Sequence, residues 1–377
     1  MEIRQITSAE HQAFLIYKSD LDPSFLQSPS WGEVKKGAWR HHSIGFFESP
    51  NNSTTHELIG TALILARKAP KLNKYFFYIP EGPTLPADKY DQALNLLTAY
   101  AKSQSAFAVR IGPMVVKARW ESDLIKSALA DESATSLHSI TPSFVNPIAK
   151  SLEQTLISQG FTSSNNDPGG FGAGQPRFLY QLPIKDKSRD DLLAGFNQLW
   201  RRNIKKSENE GVRVRIGVRE DLREFHRIYV ETAARDKFTP RSLSYFHQMW
   251  DAFNQDSAEP ELVLFLAEWN GEVVAASIYI ELGFHTWYLY GASSTQGREA
   301  RPSNAIQWAM MERSLQKGAH IYDLRGITAT LQKSDPHVGL LQFKVGVGGR
   351  AVEVMGEWDY AINPLLYMAF RAYLNRR

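Results

Sequence analysis

The feature that most constrains the fold is an internal repeat in the order of the predicted elements. Each half of the chain is predicted to contain a strand, a hairpin partner, a third strand, a helix and a last strand. In the first half these elements occupy residues 44–48, 58–66, 75–79, 89–102 and 107–111. In the second half they occupy residues 262–269, 273–281, 285–290, 303–317 and 320–324. The spacing from Ile59 to Ile111 nearly equals that from Val274 to Leu324, which indicates a duplication.

Each repeat resembles the acyltransferase fold typified by the GNAT acetyltransferases. Its hairpin turns are predicted at residues 50–53 and at Asn270-Gly271, a pair of residues that favours a tight turn. The predicted fold class is therefore α+β, with two tandem GNAT-like domains whose mixed, mainly antiparallel sheets are flanked by helices.

The length of 377 residues exceeds the usual size of one core, and an apolar fraction of 43% can fill two. We expect the first domain at residues 1–170 and the second, with the catalytic cleft, at residues 175–358. A linker rich in Ser, Asn, Gly and Pro lies between them at residues 163–174. A C-terminal helix over residues 360–377 can pack back on the first domain.

The composition excludes several kinds of chemistry. The absence of cysteine excludes disulfides, thiolate nucleophiles and cysteine-based metal sites. The ten histidines show no metal-ligand spacing, and neither a Gly-x-Ser-x-Gly elbow nor a P-loop occurs. No stretch approaches the ~18 apolar residues of a membrane span, and residues 1–8 lead into no signal core. The protein is therefore expected to be cytoplasmic.

The net charge of +3 is small and does not indicate a nucleic-acid partner, but one segment of the chain is strongly basic. Seven basic and two acidic residues lie between positions 201 and 219. On a helix, Arg201, Arg202 and Lys205 share a side and would direct a positive patch, which includes Lys206, at phosphates. A solvated basic surface without a ligand is an equally good interpretation of these residues alone.

A CoA-dependent acetyltransferase needs a glycine-rich loop at a helix N-terminus, where backbone N–H groups hold the pyrophosphate. The corresponding turn, residues 293–302, reads SSTQGREARP and lacks the Gln/Arg-x-x-Gly-x-Gly/Ala pattern. CoA is therefore disfavoured, but an acyl-CoA-dependent N-acyltransferase stays open as an alternative. A non-catalytic protein that binds a precursor or RNA is a third possibility.

Six short segments occur in one order along the chain. They are WGEVK at 31–35, YIPEGP at 78–83, RRNIKK at 201–206, WYLYGAS at 287–293, YDLRGI at 322–327 and GLLQFK at 339–344. Together they resemble the FemABX family, the aminoacyl-tRNA-dependent transferases that build peptidoglycan interpeptide bridges. The resemblance spans the chain from Trp31 to about Asp359. Some members carry a helical arm in the second domain, whereas here Lys205 leads directly into a predicted strand at 212–217, which is typical of the armless, FemX-like type.

The resemblance implies transfer of an amino acid from aminoacyl-tRNA, the co-substrate, to an amine of a peptidoglycan precursor. No cofactor is implied. The acceptor is either the soluble UDP-MurNAc-pentapeptide or lipid II, and lipid II is compatible with a peripheral contact at the inner face of the membrane. The reaction suits a protein with few catalytic groups, because an aminoacyl ester is already activated and needs mainly positioning and stabilisation of the oxyanion.

The resemblance also assigns roles to individual residues. The predicted catalytic residues are Lys344, Phe343 and Tyr290. The predicted substrate-binding residues are Lys35, Arg241, Tyr245 and Trp287. The predicted tRNA or phosphate patch consists of Arg201, Arg202, Lys205 and Lys206. Lys35 and Arg241 match contacts to the precursor phosphates, which cations hold by charge-assisted hydrogen bonds.

Simpler interpretations of the same residues stay open. Lys35 can be an ordinary surface lysine, and Phe343 can be plain packing. Strand alternation predicts that Tyr288 and Tyr290 share one side of the sheet. Two positions depart from the family, since Gly112 stands where some members have Asp, and Glu81 replaces a basic residue. The first departure predicts a mechanism without a dedicated protein base.

Overall fold

A computed structural model of the chain describes residues 1–48, 56–131, 134–164, 174–255 and 260–374. The strands in these ranges are β1 (Glu2–Ile6), β2 (Arg40–Glu48), β3 (Glu57–Lys68), β4 (Tyr75–Ile79), β5 (Ala106–Ile111), β6 (Val116–Glu121), β7 (Phe144–Val145), β8 (Thr162–Ser163), β9 (Phe178–Pro183), β10 (Arg213–Ile216), β11 (Glu261–Trp269), β12 (Glu272–Leu282), β13 (His285–Ser293), β14 (Ile321–Gly326), β15 (Arg350–Val354) and β16 (Trp358–Ala361). The α-helices are α1 (Ser8–Tyr17), α2 (Pro29–Lys35), α3 (Tyr90–Ser103), α4 (Ser122–Ala130), α5 (Pro147–Ser158), α6 (Arg189–Gly195), α7 (Gln198–Asn209), α8 (Leu222–Asp236), α9 (Leu243–Phe253), α10 (Pro302–Gln316), α11 (Val338–Val345) and α12 (Pro364–Leu374). The turn predicted at 50–53 and most of the linker predicted at 163–174 lie outside the described residues.

The chain forms two compact units. Unit 1 consists of Met1–Arg119, Pro142–Phe178 and Val352–Arg377, and unit 2 of Trp120–Thr141 and Leu179–Ala351. The expected division at 1–170 and 175–358 differs from this in three places, because residues 120–141 belong to unit 2, whereas residues 175–178 and 352–358 belong to unit 1. The C-terminal strand β16 pairs antiparallel with β5 of unit 1, Trp358 opposite Ile111. Trp358 and Ile111 are far apart in sequence, and the spacing of apolar residues within one segment cannot predict a pairing between such distant strands.

In unit 1 the strands are hydrogen-bonded in the order β1-β2-β3-β4-β5-β16-β8. The β2–β3 hairpin is antiparallel, whereas β4 and β5 run parallel and are joined by α3. Helix α3 buries Leu94, Leu97 and Ala101 on one stripe against the sheet, and the exposed positions between them complete an amphipathic pattern.

Unit 2 repeats this order with β10-β11-β12-β13-β14-β9. The β11–β12 hairpin turns at Asn270 and Gly271, which both have positive φ angles (52° and 82°), as a two-residue hairpin turn requires. Strands β13 and β14 are parallel and joined by α10. The predicted repeat is therefore confirmed, and with it the α+β class.

Helix α7 ends at Asn209 and β10 begins at Arg213, so the three-residue connection leaves no space for a helical arm. The longest helices of the described ranges, α8 and α10, have 15 residues each. The prediction of an armless chain is confirmed.

None of the described helices combines the length and the hydropathy needed to cross a bilayer. Over the same ranges, the His, Asp and Glu side chains form no group that could hold a metal ion.

Candidate active site

The candidate site of unit 2 lies where β13 and β14 part. The two parallel strands pair only through His285–Trp287, opposite Ile321–Asp323. Beyond this stretch β13 carries a bulge, and β14 turns at Arg325, whose φ of 62° is left-handed. Both irregularities redirect side chains next to the opening, as bulges and left-handed residues commonly do at functional sites.

The bulge corrects the expectation that Tyr288 and Tyr290 share one side of the sheet. Tyr288 lies opposite Tyr279, and Tyr290 lies opposite Ile278. Because Ile278 and Tyr279 are neighbours on β12, they point to opposite sides, and so do the two tyrosines. Tyr279 contacts α10, while the ring of Tyr290 packs edge-on against α9. The extra residue in β13 therefore gives each tyrosine a different environment.

On the side of α8 and α9, three tyrosines and an arginine come together. Ser242 caps α9 and places Arg241 just before the helix and Tyr245 in its first turn. The hydroxyls of Tyr245 and Tyr290 are 3.5 Å apart, and the Arg241 guanidinium lies 5.3 Å from the Tyr245 ring centre. Burial, reinforced by Tyr290, raises the pKa of Tyr245, so its hydroxyl stays a hydrogen-bond donor at neutral pH.

The third tyrosine of this group, Tyr229, was missed by sequence reasoning. Its ring packs edge-on against Tyr290 with centroids 6.0 Å apart. It lies on the buried stripe of α8, where an aromatic residue is usually plain core. The group offers hydroxyls and one exposed guanidinium to a polar, anionic ligand.

Phe343 lies in the last turn of α11 and is fixed by Trp200 of α7. The two rings are 4.7 Å apart, and the Trp200 indole N–H donates to the Phe343 carbonyl at 2.8 Å. A Cβ on Gly346 would lie 2.2 Å from the Trp200 ring, so only glycine permits this approach. Trp200 was not among the predicted site residues.

Lys344 is 3% exposed, which is rare for a lysine. Its Nζ donates to the Gly326 carbonyl at 2.7 Å and to the Arg325 carbonyl at 3.4 Å. Burial lowers the pKa of Lys344 to about 7, although the charge of Asp323 acts in the opposite direction. An ammonium group held by two carbonyls and titrating near neutrality differs from a solvated surface lysine.

Asp323 organises the turn that holds Lys344. Its fully buried carboxylate accepts the Arg325 N–H at 2.6 Å, and its Oδ2 accepts from the Gln181 amide at 3.2 Å. His285 Nε2 lies 3.4 Å from Oδ2, within ion-pair distance but without hydrogen-bond geometry. Burial acts to raise the pKa of Asp323, but the interaction with His285 and the positive charge of Arg325 outweigh it, and the pKa lies below its usual value. Asp323 was not among the predicted site residues, but it lies in the YDLRGI segment, from which its role could have been predicted.

Trp287, a predicted substrate-binding residue, is 2% exposed. Its ring stacks on the His285 imidazole with centroids 4.2 Å apart and 6° between the planes. Trp287 is therefore packed against His285 inside unit 2, and its contact with a substrate stays a prediction.

A cavity of about 170 Å³ adjoins Phe343 on the side of α10. Its lining consists of four large residues, Tyr288, Ile306, Gln307 and Phe343, and five small ones, Ala275, Ser277, Gly291, Ala292 and Ser303. At ~30 Å³ for each water, it would hold roughly five or six water molecules. This is the size of a group of a few heavy atoms.

The turn before α10 makes little backbone available to a ligand. Five of its N–H groups already donate within the protein, those of Ser294, Thr295, Gly297, Arg298 and Arg301. Pro302, the first residue of α10, has no N–H. The turn therefore lacks the open set of N–H donors with which a helix N-terminus binds pyrophosphate.

The four cations of the predicted patch are exposed on α7, whose other side buries Trp200 and Ile204. Over the described ranges none of the four has a carboxylate partner within ion-pair distance. By contrast, Arg215 pairs with Asp221 and Glu268, and Arg219 pairs with Asp251. The positive patch is therefore smaller than the basic run in the sequence. It lies on the helix that holds Phe343.

Lys35 belongs to unit 1, at the end of α2, where its Nζ lies 4.2 Å from the Trp31 ring centre. The two departures from the family are also in unit 1. Glu81 is buried and accepts a hydrogen bond from the Ser24 hydroxyl at 2.5 Å. A Cβ on Gly112 would lie 3.1 Å from the Glu81 nitrogen, which leaves little space for an aspartate. Both departures are thus built into the packing.

Comparison with solved structures identifies the fold. FemX superposes with a TM-score of 0.78 and 25% identity, over 98% of this chain and 99% of that one. A tandem GNAT protein from the clavulanic acid biosynthesis pathway superposes with a TM-score of 0.50 and 10% identity, over 96% and 99% of the two chains. The prediction of two tandem GNAT-like domains is confirmed.

Comparison with known sequences extends over the same length. The lipid II:glycine glycyltransferases of Staphylococcus aureus strains MRSA252 and USA300 are each 27% identical to this chain, over 97% of it and 94% of their own length. The alignment spans 442 positions, more than the 377 residues here, so these relatives carry residues without a counterpart. The profile of the FemAB family matches residues 6–270 and 261–375. The chain therefore belongs to the FemAB family, as its six segments predicted.

Proposed function

We propose that the protein is a cytoplasmic aminoacyltransferase that moves an amino acid from aminoacyl-tRNA to an amine of a peptidoglycan precursor, in the synthesis of interpeptide bridges. The observation that carries this proposal is the buried Lys344 ammonium, which is held by two carbonyls and directly follows Phe343, a residue of the cavity lining, on α11. A positive charge in a dry site is worth most where negative charge develops in the transition state. The names of the glycyltransferase relatives agree with this chemistry.

In the proposed reaction, the acceptor amine attacks the carbonyl carbon of the aminoacyl ester. A C–N bond forms, the ester C–O bond breaks, and the tRNA 3′ oxygen leaves with the proton that the amine loses. Lys344 stabilises the oxyanion, and Tyr245 and Tyr290 orient the acceptor. Most of the acceleration then comes from positioning two bound substrates, for which no cofactor is needed.

The cavity beside Phe343 fits the aminoacyl end of the donor. Its volume of about 170 Å³ suits a small side chain better than a bulky one. The acyl-CoA alternative is less well supported, because five N–H groups of the turn before α10 already donate within the protein. The third possibility, a non-catalytic binding protein, gives no reason for burying a lysine between carbonyls at a cost in desolvation.

The acceptor side of the proposal uses the cations that match the family's phosphate contacts. Arg241 is exposed beside the tyrosine group and can form a bidentate contact with a diphosphate. Lys35 is proposed as a second contact from unit 1. The relatives are named for lipid II, which makes the lipid-linked precursor the first acceptor to test.

The function is tested by incubating the protein with total charged tRNA and either UDP-MurNAc-pentapeptide or lipid II. We expect one acceptor to gain the mass of one or more amino acids, which identifies donor and acceptor together. Uncharged tRNA is the control. Failure of every charged tRNA, together with acyl transfer from an acyl-CoA, would reject the proposal in favour of the alternative.

Replacing the four cations of the patch on α7 with alanine is expected to weaken the use of aminoacyl-tRNA and to flatten its salt dependence. Each phosphate contact contributes about 0.7–0.9 to the slope of log affinity against log salt, so the loss of four contacts should reduce the slope by up to about 3.6. The measurement is KM for aminoacyl-tRNA over a range of salt concentrations.

Exposed cations elsewhere in unit 2, Lys185, Lys187 and Arg223, provide a control. Their replacement should change the slope much less for each charge removed. An unchanged slope in the four-residue variant would show that the patch is only a solvated surface.

A further inference from the structure

Helix α12 is apolar on both of its sides. On one side Tyr367 and Phe370 are buried, and the Phe370 ring packs on Phe76 and Phe107 of the unit 1 sheet at 5.3 and 5.2 Å. On the opposite side Leu365 is 76% exposed and Met368 is 59% exposed. The other residues at that helical spacing, Ala369 and Ala372, are exposed and apolar as well. A helix with apolar residues on two opposite sides usually has a second apolar neighbour.

The turn between β3 and β4 begins beside α12. Ala69, at the start of the turn, belongs to the same buried cluster as Tyr367 and Phe370. The turn exposes Lys71, Leu72 and Lys74, and Leu72 is 45% exposed. We call Leu365, Met368, Arg371, Lys71, Leu72 and Lys74 the apolar-basic surface.

The charge of this surface has one sign. Residues 68–74 contain three lysines and no acidic residue, and no Asp or Glu follows Asp359 in the sequence. In the part of the chain that the structure describes, Lys71, Lys74 and Arg371 have no carboxylate within ion-pair distance. Exposed aliphatic side chains bordered by unpaired cations are the pattern of helices that lie in the interface of an anionic bilayer.

We propose that the apolar-basic surface docks unit 1 on an anionic lipid bilayer. Leu72, Leu365 and Met368 would enter the boundary between headgroups and acyl chains, while the cations contact lipid phosphates. The role of this contact rests on the proposed function, because a lipid-linked acceptor lies at the surface of a bilayer and the contact would bring the protein to it.

Two other occupants fit less well. An RNA backbone would pair with the cations but would leave the three aliphatic side chains in contact with water or phosphate. A second copy in a symmetric contact would bring the like charges of the two surfaces together.

The test uses the full chain and vesicles that contain no peptidoglycan precursor. We expect binding to vesicles of equal phosphatidylglycerol and phosphatidylcholine, measured by sedimentation, and much weaker binding to phosphatidylcholine alone. The variant Leu365→Ser/Met368→Ser should bind at least tenfold more weakly, because it loses the buried apolar area. Lys71→Ala/Lys74→Ala should bind about thirtyfold more weakly, at about 1 kcal/mol for each cation.

Helix α5 of the same unit offers a matched control, since Ile148 and Ile157 are 51% and 60% exposed. Ile148→Ser/Ile157→Ser should bind vesicles like the unchanged chain. The proposal fails if Leu365→Ser/Met368→Ser binds equally well, if it instead abolishes self-association, or if Lys71→Ala/Lys74→Ala loses tRNA binding and keeps vesicle binding.

Aminoacyl transfer to whichever precursor the unchanged chain uses, supplied in solution or in detergent without a bilayer, separates this proposal from the proposed function. All these variants should keep that activity. If the unchanged chain bound anionic vesicles but transferred no amino acid, the proposed function would fall and the bilayer contact would stand.

Discussion

Replacing Lys344 with methionine is expected to slow aminoacyl transfer by about a thousandfold without unfolding the chain. The loss matches what removal of one oxyanion-stabilising group costs, about 10²–10³ in rate. Methionine has a similar length, but it leaves the Arg325 and Gly326 carbonyls and the Asp323 carboxylate without the Lys344 ammonium, so we expect the free energy of unfolding to fall by about 1–3 kcal/mol. Single-turnover kinetics with preformed complex and urea denaturation measure the two quantities.

The same variant tests the titration of Lys344. Its pKa is about 7 in the folded chain and 10.5 in the unfolded one, so the unfolded state binds more protons between these values. The free energy of unfolding therefore rises with pH across this window, and in Lys344→Met this rise is lost. Activity should follow the opposite course, because the charged form is the active one, and the rate should fall as pH rises through about 7. A variant that transfers at the unchanged rate would remove Lys344 from the mechanism.

Asp323→Asn is expected to lower the pH at which activity falls, and to reduce the rate at pH 7 by about tenfold. The Asn carbonyl can still accept the Arg325 N–H, so the turn is kept, but the negative charge that helps Lys344 hold its proton is lost. The measurement is the pH profile of kcat. Asp323 acts through Lys344 and is a positioning residue.

Glu281 provides a matched control for Asp323, because it is an equally buried carboxylate of unit 2 that pairs with Arg313 and Lys317. Glu281→Gln should lower stability and leave the pH profile unmoved. If Asp323→Asn also kept the profile of the unchanged chain, the charge of Asp323 would have no part in holding the proton on Lys344.

The elements of the fold were predictable because their signals are local. The apolar stripe of α3 and the Asn270-Gly271 turn are each contained within a few residues, and both were identified. The sequence did not show that residues 120–141 belong to unit 2 and β16 to unit 1. These assignments depend on contacts between distant parts of the chain.

The candidate site was predictable to a different extent. The sequence segments identified Phe343 and Lys344, but the burial of Lys344 and its support by Asp323 come from the turn at Arg325. Trp200 and Tyr229 were missed because their helices meet α11 and β13 only in the packed domain. The prediction that Tyr288 and Tyr290 share one side of the sheet was wrong. One extra residue in a strand turns the side chains that follow it to the opposite side.

The bulge in β13 also affects how family members can be compared. On its two sides, this strand presents Tyr288 to the cavity near Phe343 and Tyr290 to the tyrosine group. An alignment that shifts a relative by one position within the segment 288–290 exchanges these two sides. It would then assign the residues that line the cavity to the tyrosine group, and the reverse, even though the overall identity scarcely changes. Substrate preferences inferred across the family therefore depend on where the gap in this strand is placed.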